Sequence, residues 1–411
     1  MDESLEKEGR KISFAEARER MRASVVAVSE TETVSLEQAP GRILALDVVA
    51  RIDVPNHANS AMDGYAVVHG DLSGTGRVRL KVVREVAAGG FSSIPLGRGE
   101  AVRIMTGAPI PPGADAVVIQ EVCRHEGDWV EVPCGVSLAE NIRAAGEDMK
   151  VGDELLTAGR RLRSGDVAVL AAQGIDRVAV FRRIRVAILS TGNEVVSVPG
   201  TLRPGQVHDS NRAGLKAALG LQGCDVLDLG IVADDREAIE TVLERAALDA
   251  DVIISTGGVS QGDYDWVHRA LARKGTVDFW QVAMKPGKPQ ACGRLGRAVF
   301  FGLPGNPVSG LTVFHLLIRP ALFHMMGCRS WTQRVVEAVF SGRFSKKHGR
   351  KEFLRAVLHL SREGPRVELT GPQGSGIVTS LSRANAFIVL PEGPVAISDG
   401  DRVEVWLMED E

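Results

Sequence analysis

The chain has 411 residues, 44% hydrophobic and 25% charged, which is the balance of a globular protein with apolar material for several cores rather than of a disordered or fibrous one. Forty-nine basic residues against fifty-two acidic ones leave a net charge of -3 and aromatics reach only 5%, so neither a sequence-wide field for nucleic acid nor a stacking-based binder is supported. Glycine, at 45 residues, exceeds the roughly 7% background and calls for an explanation.

Ser13 followed by Glu16 makes a capping box, and Phe14, Ala17, Met21, Ser24, Val25 and Val28 recur at helical spacing, predicting a helix over 14–28. From Arg51 to about Pro133 the texture becomes β-branched runs such as 77–83 and 116–122, broken by glycine and proline, as in a β-rich inserted module. Residues 140–180 are mixed, with a short helix over 164–173 capped at Ser164, and are expected to rejoin the N-terminal segment. From Arg185 strands at 186–189, 226–231, 252–254 and 298–301 alternate with helices at 212–219, 236–247, 264–273 and 308–317, the pattern of a parallel α/β sheet covered on both faces. After Gly327 β texture returns, at 337–340, 353–360, 366–369, 386–389 and 402–407, predicting a small barrel or sandwich. The expected architecture is multidomain α/β plus β: a mixed domain of 1–50 with 140–182, a β-rich insert at 51–139, an α/β domain at 183–328 and a C-terminal β domain at 329–411.

The five cysteines form no C-x-x-C pair, which disfavours a disulfide framework or thiolate zinc site and makes a reducing, cytoplasmic location the expectation. The opening MDESLEKEGRK has no apolar h-region, so no secretory or transit peptide is expected. The apolar stretch from Leu311 to Met326 carries His315, Arg319, Pro320 and His324, which a membrane-spanning helix tolerates poorly.

In an open parallel sheet ligands bind beyond the carboxyl ends of the strands. There the sequence has STGNE (190–194), STGGVS (255–260) and GLPGNP (302–307). Glycine admits close backbone approach, and a following helix N-terminus supplies free N–H groups, so together the loops suggest a phosphate-bearing ligand, although any one alone reads sooner as a tight turn. No Walker loop and no G-x-G-x-x-G opening the first helix is present. Lys285 and Lys288 of MKPGKP sit on a proline-stiffened loop suited to an oxyanion, or to a merely solvated basic turn. Asp234 or Asp235 is at least a helix N-cap, and Asp265 could reach a hard cation. The nine histidines form no H-E-x-x-H, which disfavours zinc hydrolysis.

Jointly, SAMDGYA (60–66), RIMTGAP (103–109), ENIRAAGED (140–148), STGNE, HDSN (208–211), STGGVSQGDYD (255–265), MKPGKP, GLPGNPVSG (302–310) and GSGIVTSLSRAN (374–385) resemble one family in order and spacing along nearly the whole chain. It is the molybdopterin molybdenumtransferases, MoeA in bacteria and the E-domain of gephyrin in animals. The resemblance implies a MogA/MoaB-like fold for the α/β domain, a barrel-like C-terminal domain, and insertion of molybdenum from molybdate into adenylylated molybdopterin, with magnesium assisting and AMP released.

By that resemblance Asp63, Thr106, Glu194, Asp234 and Asp265 are catalytic, and Glu194, Asp234 and Asp265 hold Mg²⁺. Lys285, Lys288 and Ser309, helped by Arg355 and Ser375, cradle molybdate. Arg143, Asp148, Ser190, Gly192, Asp209, Ser210, Asn211, Gly257, Gly258, Pro304, Gly305, Asn306 and Pro307 complete the substrate site. An elongated homodimer is implied, with Asp63 and Thr106 acting in trans, and a transient contact with the molybdopterin adenylyltransferase is a further expected partner. One departure stands out: the family often has a basic residue after the aromatic preceding KPGKP, and here Trp280 is followed by Gln281. Two other readings are a non-catalytic scaffold of the gephyrin type and a nucleotide pyrophosphatase on the same α/β domain; the first would bind peptides without releasing AMP, and the second would turn over common dinucleotides.

Overall fold

Apolar runs such as 186–189 need cover on both faces, and in the computed structural model of the chain, which describes residues 10–257 and 275–408, this run forms an interior strand of a seven-stranded sheet. In chain order its elements are β1 (Arg10–Ile12), α1 (Phe14–Ser24), β2 (Arg185–Thr191), α2 (Ser210–Leu221), β3 (Asp225–Val232), α3 (Arg236–Asp249), β4 (Val252–Thr256), β5 (Gly275–Val282), β6 (Pro289–Leu295), β7 (Ala298–Leu303), α4 (Pro307–Val313) and α5 (Arg319–Met325). The strand order is β1-β5-β6-β7-β4-β2-β3. The described residues fall into two units, one containing 10–45, 159–162 and the chain from Ala179, the other Leu46–Ala158 with Arg163–Val178.

β3, β2, β4 and β7 are mutually parallel. The chain leaves β2 for β3 on one side and returns to β4 on the other, which makes a topological switch point between β2 and β4. Alternation along the strands explains the double cover. Val186 and Ile188 share a core with Leu215 and Leu219 of α2, whereas Ala187 and Leu189 share the opposite one with Ile239 and Leu243 of α3. Each such buried leucine or isoleucine stabilises by about 1.5–3 kcal/mol.

The four strands expected to be parallel are so, and antiparallel strands that the sequence did not disclose extend the sheet and make it mixed as a whole. β5 and β6 form an antiparallel hairpin, and β6 runs antiparallel to β7. Polar residues in 275–282 and the prolines of 286 and 289 concealed the hairpin, whose connection is the KPGKP segment itself. Gly293 has no alternative there, since a Cβ would fall 2.1 Å from the Thr276 carbonyl oxygen. The predicted helix at 264–273 lies outside the described residues.

Beyond β7, α4, a π-helical turn Phe314–Ile318 and α5 run on continuously. The run Pro307–Met325 is long and apolar enough to cross a membrane, but 78% of its most apolar window is buried within the fold, where it serves as a core helix. The C-terminal strands Lys351–Ser361, Gly364–Leu369, Val335–Ser341, Arg402–Leu407 and Ala386–Leu390 pair in that order, and the last returns to the first, closing a barrel around Phe340, Leu354, Ile388 and Val405.

In the other unit a six-stranded sheet has the order Ala116–Ile119, Gly64–Val67, Glu100–Ile104, Arg77–Val86, Trp129–Pro133, Arg124–Glu126. Glu100–Ile104 and Arg77–Val86 are its parallel pair. The helix Ser164–Ala172 begins at Ser164 rather than being capped by it, because the Asp166 carboxylate turns back to accept the Arg163 N–H at 2.9 Å.

Candidate functional site

The loops after β2, β4 and β7 meet at the switch point through their glycines. Gly257, at φ +87°, is so close to the first loop that a Cβ would lie 2.8 Å from the Thr191 carbonyl oxygen. A Cβ on Gly305 would lie 3.9 Å from Gly257 Cα, so the third loop backs directly onto the second. The three enclose a cavity of about 850 Å³. Ser190, Gly192 and Glu194 line it from the first loop, and Asp209, Ser210 and Asn211 from the start of α2. Asp234 enters after β3, Gly257 after β4, and Pro304, Gly305, Asn306 and Pro307 after β7. Backbone N–H groups of the helices that start here, α2 and α4, are available to an anionic ligand.

A buried polar chain holds the loops together. Ser190 Oγ donates to Asp209 Oδ1 at 3.0 Å and lies 2.9 Å from Thr256 Oγ1. Asp209 also caps α2 by accepting the Arg212 N–H at 3.0 Å, and takes Arg212 Nε at 2.8 Å. Its oxygens are therefore committed within the protein. Asn211 Nδ2 donates to the Gly305 carbonyl at 2.6 Å, tying α2 to the third loop, while Asn211 Oδ1 is buried with no hydrogen-bond partner among the described residues.

The two candidates for the α3 cap separate cleanly. Asp235 is the cap, accepting the Ala238 N–H at 3.0 Å. Asp234 faces the cavity instead, where burial raises its proton affinity above the ordinary aspartate value, the Asn193 N–H lowers it, and the Glu194 charge raises it again. Glu194 and Asp234 thus both line the cavity as a carboxylate pair, near enough for the charge of one to act on the other. Among the described residues no group of three or more His, Cys, Asp or Glu side chains is arranged around a metal position. Asp265 and Gly258 lie outside the described residues.

Lys285, Lys288, Ser309, Arg355 and Ser375 stand outside the cavity lining. Met284 and Lys285 pair in parallel with Lys351 and Glu352 of the barrel, and Lys285 Nζ lies 2.9 Å from Glu352 Oε1. The KPGKP turn presses on α4, where a Cβ on Gly287 would meet Val313 at 2.4 Å, and Gln290 Nε2 braces the turn by donating to the Gly287 carbonyl at 2.7 Å. Pro289, at its end, reaches the cavity. Lys288 is exposed and Ser309 buried. Arg355 is fully buried: Nε donates to Ser380 Oγ at 3.1 Å and an Nη to the Gly374 carbonyl at 3.2 Å, and burial pushes its pKa down to about 10. It thereby anchors the segment carrying Ser375, Gly376 and Val378, of which the last two border the cavity.

In the second unit the SAMDGYA, RIMTGAP and ENIRAAGED segments come together. Ser60 and Asn59 pair with Ile142 and Arg143, the Gly107 N–H donates to the Ser60 carbonyl at 2.8 Å, and the Ala61 N–H donates to Asn141 O at 2.8 Å. Asp63 Oδ1 accepts both the Thr106 N–H at 2.7 Å and the Thr106 hydroxyl at 2.8 Å, which hold its carboxyl below the usual range. Arg143 and Asp148 are exposed, and the Asp148 N–H is anchored on the Val54 carbonyl. Sequence reasoning did not single out Thr191, His208, Thr256, Pro289, Gly376 or Val378 as lining residues. The signal available for Thr191 and Thr256 was their place at the carboxyl ends of adjacent parallel strands.

Comparison with known proteins agrees in extent with this arrangement. Residues 12–174 match the MoeA N-terminal region (domain I and II), 187–324 the probable molybdopterin binding domain, and 337–408 the MoeA C-terminal region (domain IV). The molybdopterin molybdenumtransferase of Haemophilus influenzae is 37% identical over 397 residues, spanning 96% of this chain and 98% of the relative. Molybdopterin molybdenumtransferase 2 of Mycobacterium tuberculosis is also 37% identical, over 94% and 98% of the two chains. The crystal structure of the molybdopterin biosynthesis moeA protein from Pyrococcus horikoshii OT3 superposes with a TM-score of 0.84 at 30% identity, covering 97% of this chain and all of that one. The chain belongs to the molybdopterin molybdenumtransferase family and is a transferase of molybdenum cofactor biosynthesis.

Proposed function

We propose that this transferase inserts molybdenum from molybdate into adenylylated molybdopterin with Mg²⁺-dependent release of AMP, and that it works as a homodimer in the cytoplasm. The observation that carries the reading is one cavity in which three glycine loops and two helix N-termini, an anion-binding surface, stand beside the carboxylate pair Glu194 and Asp234. Such a combination suits a phosphoanhydride with a divalent cation.

The residues present fit the cation. Mg²⁺ is ordinarily held by one or two carboxylates together with substrate phosphates. Burial first and the Glu194 charge after it raise the proton affinity of Asp234, both penalties on its charged form that a dication offsets, and Asp265 is the third ligand by resemblance. When bound, Mg²⁺ offsets charge on the phosphate oxygens during cleavage. The glycine loops and helix N-termini bind and orient the phosphates. Lys285 and Lys288, with Ser309, receive the oxyanion as compact cationic and hydroxyl donors. Asp63 and Thr106 of one subunit serve the cavity of the other, and Arg143 and Asp148 belong to the same contribution. Transient contact with the adenylyltransferase delivers the substrate.

The deciding experiment measures AMP release from adenylylated molybdopterin with molybdate or tungstate titrated in, using wild type, Asp63→Ala and Asp265→Ala. Loss of molybdate-dependent release in both variants, with folding and oligomeric state retained, supports the reading. Wild-type turnover in both sinks it, and turnover of ordinary dinucleotides favours a pyrophosphatase instead.

A further inference from the structure

Glu352 has no part in the chemistry proposed so far, yet its carboxylate is buried almost completely, which is a costly place for an acid without a purpose. Two groups flank it: Lys285 Nζ, 2.9 Å from one oxygen, and His348 Nε2, 2.9 Å from the other. The imidazole is near but not aligned to donate a hydrogen bond, and burial, against the pull of the Glu352 charge, holds its proton affinity below the ordinary histidine value. Lys346, the next cation, spends its ammonium on the Arg350 and Pro391 carbonyls. Among the described residues, the bonded counter-charge of Glu352 is therefore Lys285.

The pair is set by the backbone. Parallel pairing of Met284–Lys285 with the barrel places Lys285 beside Glu352 in register. The acid approaches from the buried side, while the lysine side chain stays 40% exposed. An ammonium has three N–H donors, so one is fixed inward and the others remain for a ligand arriving from the open side. Lys346 and Arg350 are further cations close enough to act on the same cluster.

We propose that Glu352 is a positioning residue: it holds the otherwise flexible Lys285 in the orientation from which the ammonium takes a tetrahedral oxyanion. This rests on the reading that Lys285 receives molybdate. An unanchored lysine has to be ordered at the moment of binding, and removing the anchor therefore weakens oxyanion capture rather than the later chemistry.

The test is a molybdate titration of AMP release by Lys285→Ala, Glu352→Gln and Glu352→Asp, with calorimetric binding of molybdate alone as a second readout. The expected result for Glu352→Gln is a molybdate KM raised about tenfold with kcat within about twofold of wild type, the signature of lost binding rather than lost transition-state contacts. Glu352→Asp, which keeps the charge, is expected to recover part of the loss, and it carries the test alone if Glu352→Gln fails to fold. A wild-type molybdate KM in the folded Glu352 variants overturns the proposal, as does a fall in kcat with KM unchanged. If Lys285→Ala itself keeps a wild-type molybdate KM, the underlying assignment of Lys285 is what fails.

Discussion

Asp63 Oδ1 receives two hydrogen bonds from a single residue, the backbone N–H of Thr106 at 2.7 Å and its hydroxyl at 2.8 Å. The two residues are 43 positions apart, Asp63 just before the strand Gly64–Val67 and Thr106 just after the strand Glu100–Ile104, and these strands are antiparallel neighbours. The carboxylate is thereby oriented and kept ionised, with the backbone N–H the larger influence and the hydroxyl the second.

Thr106→Val removes the hydroxyl and keeps the backbone donor. The Asp63 titration midpoint is expected to rise, yet to remain below an unpaired aspartate, and a carboxyl-carbon NMR titration measures it. For folding the sign follows from a depressed carboxyl: its stabilisation is complete above the unfolded pKa of about 3.9 and is lost as pH falls through the lower folded value. Thr106→Val narrows that acid window. An unchanged midpoint would show that the hydroxyl contributes nothing.

Glu194→Gln should lower the Asp234 midpoint, because one of the influences raising it is the Glu194 charge. Burial, the larger one, remains, so the shift is partial. A carboxyl with a raised folded-state pKa destabilises the fold once pH exceeds the unfolded value, and the penalty grows until pH passes the folded value. Mg²⁺ bound to the native state raises Tm by mass action. Differential scanning fluorimetry should find that rise reduced in Glu194→Gln and in Asp234→Asn, whereas a full wild-type rise in both variants removes the pair from the cation site.

Two glycines of the cavity are expected to respond differently to alanine. Gly257→Ala forces a side chain into the left-handed region at φ +87° and against the Thr191 carbonyl, 2.8 Å away. The backbone strain alone costs about 1–2 kcal/mol, and the contact adds to it. Gly305→Ala meets only an ordinary contact at 3.9 Å, so stability should stay within about 1 kcal/mol of wild type while ligand affinity falls, the methyl group standing on the cavity wall. Urea denaturation with calorimetry of ligand binding separates the two effects.

Arg355→Lys cannot reproduce a planar fork that reaches Ser380 Oγ and the Gly374 carbonyl together. A loss of about 1–3 kcal/mol is expected in urea denaturation, since a buried acceptor is left without its donor. Because Gly376 and Val378 border the cavity, binding should weaken as well, in proportion to the loosened segment. A variant of wild-type stability would place the anchoring elsewhere.

Local pattern was legible where it had one physical reading. Strands of alternating cover between helices predicted the α/β core, and every strand predicted there and in the C-terminal region was found, lengthened by one to three residues at most ends. The capping role of Ser13 appeared as a hydrogen bond from the Glu16 N–H. The β5–β6 hairpin was not legible, because alternating polar residues, two prolines and a glycine required by close strand approach look like a loop in one dimension. The choice between Asp234 and Asp235 was equally closed, since both lie before the same helix and only the direction of each side chain separates cap from cavity.

What the sequence by itself determined was the inventory: an excess of glycine, its concentration after the parallel strands, and acids and lysines at the spacing of one family. Those follow from short-range chemistry, in which a residue's neighbours along the chain decide its conformation. What only the tertiary structure decided was company. The near-neutral charge of -3 conceals a carboxylate pair at the switch point and a lysine tied to a buried glutamate of the barrel, separated from it by 67 positions. Coulombic and steric interactions depend on distance through space, and the folded backbone alone makes Lys285 and Glu352, or Gly257 and Thr191, neighbours.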